Sequence, residues 1–333
     1  MSFVPTTAAT PPLTTAASPL PKEESCCIGI DTSNYTTSAA LYVRQSDFVI
    51  SKRQLIPVPK GGIGVRQSDA VFHHVRQLPA LIEELLAGGV KIEGVGASVR
   101  PRPIDGSYMP CFEVGASAAK MLSSALSVPL FTCSHQEGHI AAALYSAGCT
   151  HTIGDRFIAF HVSGGTTEAV MTERTDSGYR CTKLCGSLDL KAGQVIDRCA
   201  NMLDLPFPGG PSLAALAETC EETVKCRASM KGPDCCLSGV ENKCADLMRQ
   251  GADYSLIART CIEYIRVSLE EMAKGLLAEY GDIPLLFAGG VMSNRYIREA
   301  FRERFGAYFA APEYSSDNAA GVAILTSTSL TAN

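Results

Sequence analysis

Apolar runs punctuated by short polar breaks organise the chain from residue 26 onward. Residues 27–31, 37–43 and 48–55 are three such runs, with a polar turn at 32–34. Short runs rich in Ile, Val, Tyr and Thr and bounded by turn residues predict strands, so the ordered part opens on a β-meander whose first strand ends in an acid, Asp31. A helical spacing follows over 68–86, a short buried strand over 94–99, a helix rich in small residues over 111–126 and a strand over 128–131 that leads into a helix beginning near His135. Around 148–155 the chain turns and the plan restarts, with strands over 157–162 and 167–172 joined by a glycine turn. Helices are expected over 189–204, 212–222 and 255–280, a buried strand over 284–288, and a last helix from 317 to about 325. Two hairpins, each opening an α/β run, predict two similar halves, at 26–150 and 151–316, with residues 317–333 as a C-terminal helix packing back on them. Residues 1–25 are rich in Thr, Ala and Pro without hydrophobic period, so a disordered tail is expected there.

Composition narrows the class. The chain has 333 residues, 46% of them hydrophobic and 19% charged, enough for two cored domains. A formal net charge of −5 argues against a globally basic nucleic-acid surface, so any RNA partner must be met by local patches or by other subunits. No apolar run approaches the roughly 20 residues of a membrane span. Fourteen cysteines occur without a secretory leader pattern, which points to reduced thiols and a cytoplasmic protein. The group Cys220, Cys226, Cys235, Cys236 and Cys244 lacks the paired hooks of a zinc site and reads as reduced structural or surface thiols.

Candidate chemistry sits in three places. His135 and His139 are four residues apart, so on a helix both imidazoles share one face and can reach one cation. Two glycine turns, Val162-Ser163-Gly164-Gly165-Thr166-Thr167 and Ala288-Gly289-Gly290-Val291, let backbone amides approach phosphate oxygens. Glu137 lies on a different face from the two histidines, and the His-Glu-x-x-His spacing of a metalloprotease is absent.

These motifs, taken in order, carry a resemblance. Ile28-Gly29-Ile30-Asp31-Thr32-Ser33, His135-x-x-x-His139, Ser163-Gly164-Gly165, Gly193-x-x-x-Asp197, Gly209-Gly210-Pro211, Gly289-Gly290-Val291 and Ser316-Asp317-Asn318-Ala319-Ala320 resemble the tRNA threonylcarbamoyladenosine transferase (TsaD) family, once described as glycoproteases. The resemblance covers about residues 26–325. It implies an α/β fold of two actin/hexokinase/Hsp70-like lobes with a nucleotide and metal cleft between them. It implies one divalent ion, iron or zinc, on His135, His139 and Asp317, with His161 standing where some members place a tyrosine ligand. For an adenine nucleotide (threonylcarbamoyl-AMP, ATP or AMP) it implies Ser163, Gly164, Gly165 and Thr166 at the phosphates and Asp197 at the ribose. Gly289, Gly290 and Asn294 are then expected at the adenine, and Asp31 and Gly210 elsewhere in the nucleotide or substrate site. The implied reaction moves threonylcarbamoyl from its adenylate to N6 of adenosine 37 in tRNA. The implied partners are tRNA and, in a complex, a scaffold paralogue or ATPase and kinase-like subunits.

The chain also departs from the family pattern. Asn34-Tyr35-Thr36-Thr37 replaces the usual Cys-Asp-Glu-Thr, and Arg100-Pro101-Arg102-Pro103 replaces a Gly-Pro-Gly stretch. The family's Glu-x-x-x-Arg-x-His helix is read over 66–73 with a histidine alone in common. Ala214 stands in place of a glutamate, and Arg198 in place of a lysine. Two functions therefore stay open: a transferase, including a paralogue with an altered acceptor that Arg66, Arg76, Arg100 and Arg102 help read, and a non-catalytic nucleotide-binding scaffold of the same machinery. Retained metal histidines discriminate between them, because a scaffold needs no metal.

Overall fold

The computed structural model describes residues 24–33, 35–57, 65–176, 178–314 and 319–332. Residues 1–23 of the expected N-terminal tail and Asp317 therefore lie outside the described residues, while Ser25, expected in the tail, opens the first strand. The chain divides into two units: residues 1–152, 174–180 and 313–333 in the first, and 153–173 with 181–312 in the second.

In the first unit, β1 (Ser25–Asp31), β2 (Thr36–Val43) and β3 (Phe48–Leu55) form an antiparallel meander, and β4 (Lys91–Arg100) and β5 (Leu130–Ser134) extend it as parallel strands in the order β3-β2-β1-β4-β5. One face of this sheet is covered by α1 (Gln67–Leu86) and α2 (Phe112–Leu126). Leu78, Leu81 and Leu85 recur at helical spacing and pack with Ile28, Ile30 and Leu41 in one core. Burying each such side chain contributes about 1.5–3 kcal/mol. The other elements are α3 (His135–Ser146) and α9 (Ala319–Ala332), which pack together and on the sheet. Gly29 makes that packing close: a methyl there would run into the backbone of Ala319 and Ala323.

The second unit repeats the plan. β6 (Arg156–Val162), β7 (Thr167–Thr175) and β8 (Gly178–Gly186) form the meander, whose tip at 174–180 belongs to the first unit, and β11 (Leu285–Ala288) and β12 (Tyr308–Phe309) add parallel strands beside β6. Its helices are α4 (Ala192–Met202), α5 (Gly209–Glu218), α6 (Ser238–Arg249), α7 (Tyr254–Tyr280) and α8 (Arg295–Phe305), with a small hairpin of β9 (Ser229–Lys231) and β10 (Asp234–Cys236). The long α7 carries much of the core, with Ile257, Cys261, Ile265, Leu269 and Met272 all buried. Among the described residues, no helix is long and apolar enough to cross a membrane. All fourteen cysteines are free thiols, and eleven of them are buried.

Candidate functional site

The histidine helix of the first unit is fixed at its first turn. Ser134 caps α3: its hydroxyl accepts from the Glu137 amide at 3.2 Å, while the Glu137 carboxylate accepts from the Ser134 amide at 2.7 Å. The second Glu137 oxygen accepts from the Tyr179 amide at 3.3 Å, so this buried acid is structural. The Gln136 amide donates to the Pro101 carbonyl at 3.1 Å, tying the loop after β4 to the same turn. This holds the rings of His135 and His139 edge to face, with centroids 4.6 Å apart and both residues half-buried.

The Nδ1 atom of His135 lies 2.8 Å from Oδ2 of Asp31. A carboxylate offers no proton here, so Nδ1 is the donor and Nε2 carries the lone pair, the tautomer a metal ligand needs. Asp31 is 1% exposed. Ser98 Oγ also donates to its Oδ2 at 2.7 Å and the Ser33 amide to its Oδ1 at 2.9 Å. Burial pushes the Asp31 carboxyl upward, but the adjoining His135 and these hydrogen bonds outweigh it and hold the group well below the ordinary carboxylate range. Asp31 was expected at nucleotide or substrate; in the structure its two oxygens accept from His135, Ser98 and Ser33 inside the first unit, a contact that orients the His135 ring.

Sequence reasoning missed a fully buried histidine. His74 on α1 is 0% exposed, and its Nδ1 sits 2.8 Å from Thr37 Oγ1, whose own proton goes to Gln77 Oε1 at 2.6 Å. Thr37 therefore accepts from His74, and His74 Nε2 is a buried acceptor without a partner. Burial lowers His74 to about 4, so the ring is neutral. Of the four arginines suggested as acceptor readers, Arg100 is half-buried with its Nε shielded and unpartnered, and Arg76 stacks over Phe72 at 5.5 Å.

In the second unit the two glycine turns leave neighbouring strands. β6 and β11 run parallel, with His161 beside Ala288 and, on the other side, opposite Glu168. The first turn closes on itself: the Ser163 amide donates to the Thr166 carbonyl at 2.7 Å and the Thr166 amide to Ser163 Oγ at 3.1 Å. The Thr166 amide, expected at phosphate, is thus already used. Gly164 and Gly165 are exposed with open space where a side chain would stand. The N-terminus of α4 abuts the turn, since the Gly193 amide donates to the Ser163 carbonyl at 3.1 Å and a methyl on Gly193 would lie 2.5 Å from the Gly164 nitrogen. Turn and helix end together offer the positive pole that phosphates favour. Gly289, at φ +101°, passes so close to the Val162 backbone that a side chain would meet its carbonyl carbon at 2.7 Å.

Two further expected contacts are committed locally. Asp197 accepts from the Gly209 amide at 3.0 Å through Oδ1, bracing the start of α5, where Gly210 faces open space. Asn294 caps α8, its Oδ1 accepting from the Ile297 amide at 3.1 Å. The structure thus brings together His135, His139 and Asp31 in one unit, and the 163–166 turn, Gly193, Gly289 and Gly290 in the other.

A three-strand meander extended by two parallel strands, present twice, with glycine turns at strand ends, defines a protein of the actin/hexokinase-like α/β class. Solved structures share this fold: HypF of T. kodakarensis has a TM-score of 0.59 at 14% identity, covering 92% of this chain and 48% of that chain. A full-length HypF in its phosphate- and nucleotide-bound form gives 0.56 at 12%, covering 94% and 57%. Within that class the chain belongs to the tRNA N6-adenosine threonylcarbamoyltransferase family, whose model matches residues 46–324. It is 29% identical over 310 residues to the protein of that name from Methanopyrus kandleri (89% of this chain, 85% of that one) and 31% identical over 309 residues to that from Thermus thermophilus (89% and 90%). A probable bifunctional tRNA threonylcarbamoyladenosine biosynthesis protein of Methanothermobacter thermautotrophicus is 29% identical over 305 residues, 90% of this chain and 55% of that one.

Proposed function

We propose that this chain is an acyltransferase that moves threonylcarbamoyl from threonylcarbamoyl-AMP to N6 of adenosine 37 in tRNA. A divalent ion, iron or zinc, is held by His135 and His139, with Asp317 and His161 as the further donors the family resemblance points to. The donor set suits a first-row ion, because one imidazole has its tautomer fixed by a buried carboxylate. Bound there, the ion supplies Lewis acidity toward the carbamoyl carbonyl.

The protein's own groups bind and orient. Amides of Gly164 and Gly165, backed by the N-terminus of α4, take the phosphate of the leaving AMP. The adenosine N6–carbon bond forms, the carbon–oxygen bond to the phosphate breaks, and the amine proton leaves. Catalysis of this kind rests on holding a weak nucleophile against a polarised acyl group, which requires no serine or cysteine nucleophile.

The Asp31–His135 contact carries this reading. A nucleotide-binding scaffold would need the glycine turns but not a buried carboxylate aligning an imidazole. The match to bifunctional relatives supports action beside other proteins of the same tRNA modification. The test is incubation of anaerobically purified protein with threonylcarbamoyl-AMP and tRNA, followed by nucleoside mass spectrometry. Threonylcarbamoyladenosine is expected; its absence with metal-loaded protein and companion subunits from a threonylcarbamoylating complex would favour the scaffold.

A further inference from the structure

The second unit assembles a group of side chains that no sequence spacing announces. Cys199 on α4, Cys244 on α6 and Cys261 on α7 place their three sulfurs within 4.8 Å of one another, and each residue is 0% exposed. The Cys244 thiol donates to the Ile257 carbonyl at 3.9 Å. Among the described residues no histidine or carboxylate joins them, and the surrounding core is apolar, with Val195, Val240 and Ile257 among its buried members.

We propose that Cys199, Cys244 and Cys261 form a three-sulfur site for one soft monovalent metal ion, copper(I) in its chemistry. Three sulfurs around one ion at the usual metal–thiolate length of about 2.3 Å stand about 4 Å apart, the scale of this triad. Softness selects thiophilic ions over magnesium or calcium. Coordination number selects among the soft ones: zinc takes four ligands in structural sites, and this cage offers three. Charge points the same way. A buried site favours a neutral complex, and a monovalent ion reaches neutrality when one thiol gives up its proton. In the binding step three copper–sulfur bonds form, at least one S–H bond breaks with its proton going to solvent, and no electron changes hands.

The site has a consequence for the unit that holds it. The three ligands come from three helices that pack on one another, so an occupied site fastens α4 to α6 and α7. Cys199 lies two residues from Asp197 on the helix whose first turn supports the Ser163–Thr166 loop. The ion is therefore a fastener behind the nucleotide loop, separate from the histidine pair in the first unit.

The experiment is an anaerobic titration of fully reduced, metal-free protein with copper(I) in competition with a chromophoric chelator, with zinc(II) in parallel, on wild type and on a Cys199→Ala/Cys244→Ala/Cys261→Ala variant. Wild type should hold one more chelator-resistant copper per chain than the variant, and its Tm should rise by about 5 °C or more on loading, a gain the variant lacks. Equal copper in both proteins would overturn the proposal. X-ray absorption on wild type decides if the variant fails to fold: three sulfur neighbours support the site, while two sulfurs, or any nitrogen or oxygen ligand, refute it. A tighter hold on zinc than on copper would refute the choice of ion.

Discussion

Asp31→Asn is the sharpest perturbation of the histidine pair, because it keeps the side chain's shape and removes its charge. Three donors converge on the carboxylate: His135 Nδ1 and Ser98 Oγ on Oδ2, and the Ser33 amide on Oδ1. An asparagine must turn its NH2 group toward at least one of them, and a buried donor left without an acceptor costs about 1–3 kcal/mol. Its amide also no longer favours the Nδ1-protonated tautomer of His135, and loss of such an outer carboxylate weakens metal affinity about 10–100-fold, or roughly 1.4–2.7 kcal/mol. Chelator competition on metal-loaded protein measures this, with Ser98→Ala as a milder control that removes one hydrogen bond and keeps the charge. The acid side of the stability curve gives a second readout. A carboxyl held low in the fold contributes stability that is complete above its unfolded value near 3.9 and is lost as pH falls through and below that value. The variant should therefore lose stability at neutral pH and show a shallower acid limb. Unchanged metal affinity alongside weakened nucleotide binding would refute the orienting role and return Asp31 to the nucleotide.

Other outcomes follow from the same geometry. Gly193→Ala puts a methyl 2.5 Å from the Gly164 nitrogen, so AMP affinity measured by calorimetry should fall and stability drop by about 1–3 kcal/mol, the usual cost of overpacking. Asn294→Ala should cost about 1 kcal/mol as a lost cap, seen in denaturant melts, and leave AMP affinity unchanged. His74, at about 4 in the fold against 6.5 when unfolded, binds its proton more readily in the unfolded chain. Stability should thus fall as pH drops from about 6.5 toward 4, and His74→Gln should flatten that slope in Tm-versus-pH measurements.

The architecture was legible where pattern and punctuation agreed. The first meander, the β6–β7 hairpin, the helices α1 and α7 and the strands delivering the glycine turns follow from period and turn residues, whereas β8 (Gly178–Gly186), interrupted by polar and charged residues, was not foreseen. Polar helices hid: α6 buries only Val240 and Cys244, and α8 only Ile297 and Phe301 amid its charges. The last helix was expected to stop near 325, before a Thr/Ser-rich stretch of weak helix propensity. It continues to Ala332 because the helix packs on β1, β2 and β4, and its threonine hydroxyls are absorbed within it, Thr326 and Thr328 donating to carbonyls one turn back. At the site, motifs announced the residues but not their tasks. Asp31 finds His135 at a separation of 104 residues, and the cysteine triad draws on three helices. Such pairings belong to tertiary packing, which spacing along the chain does not encode.

The measurement closest to the central claim is single-turnover threonylcarbamoyl transfer to tRNA, run on anaerobic preparations of known metal content, for wild type and for His139→Ala. Transfer should scale with metal occupancy in wild type, and His139→Ala should lose both the metal and at least about 100-fold in rate, in line with the loss of a group that stabilises the transition state. Equal transfer by metal-free wild type or by His139→Ala, with folding verified, would contradict the account.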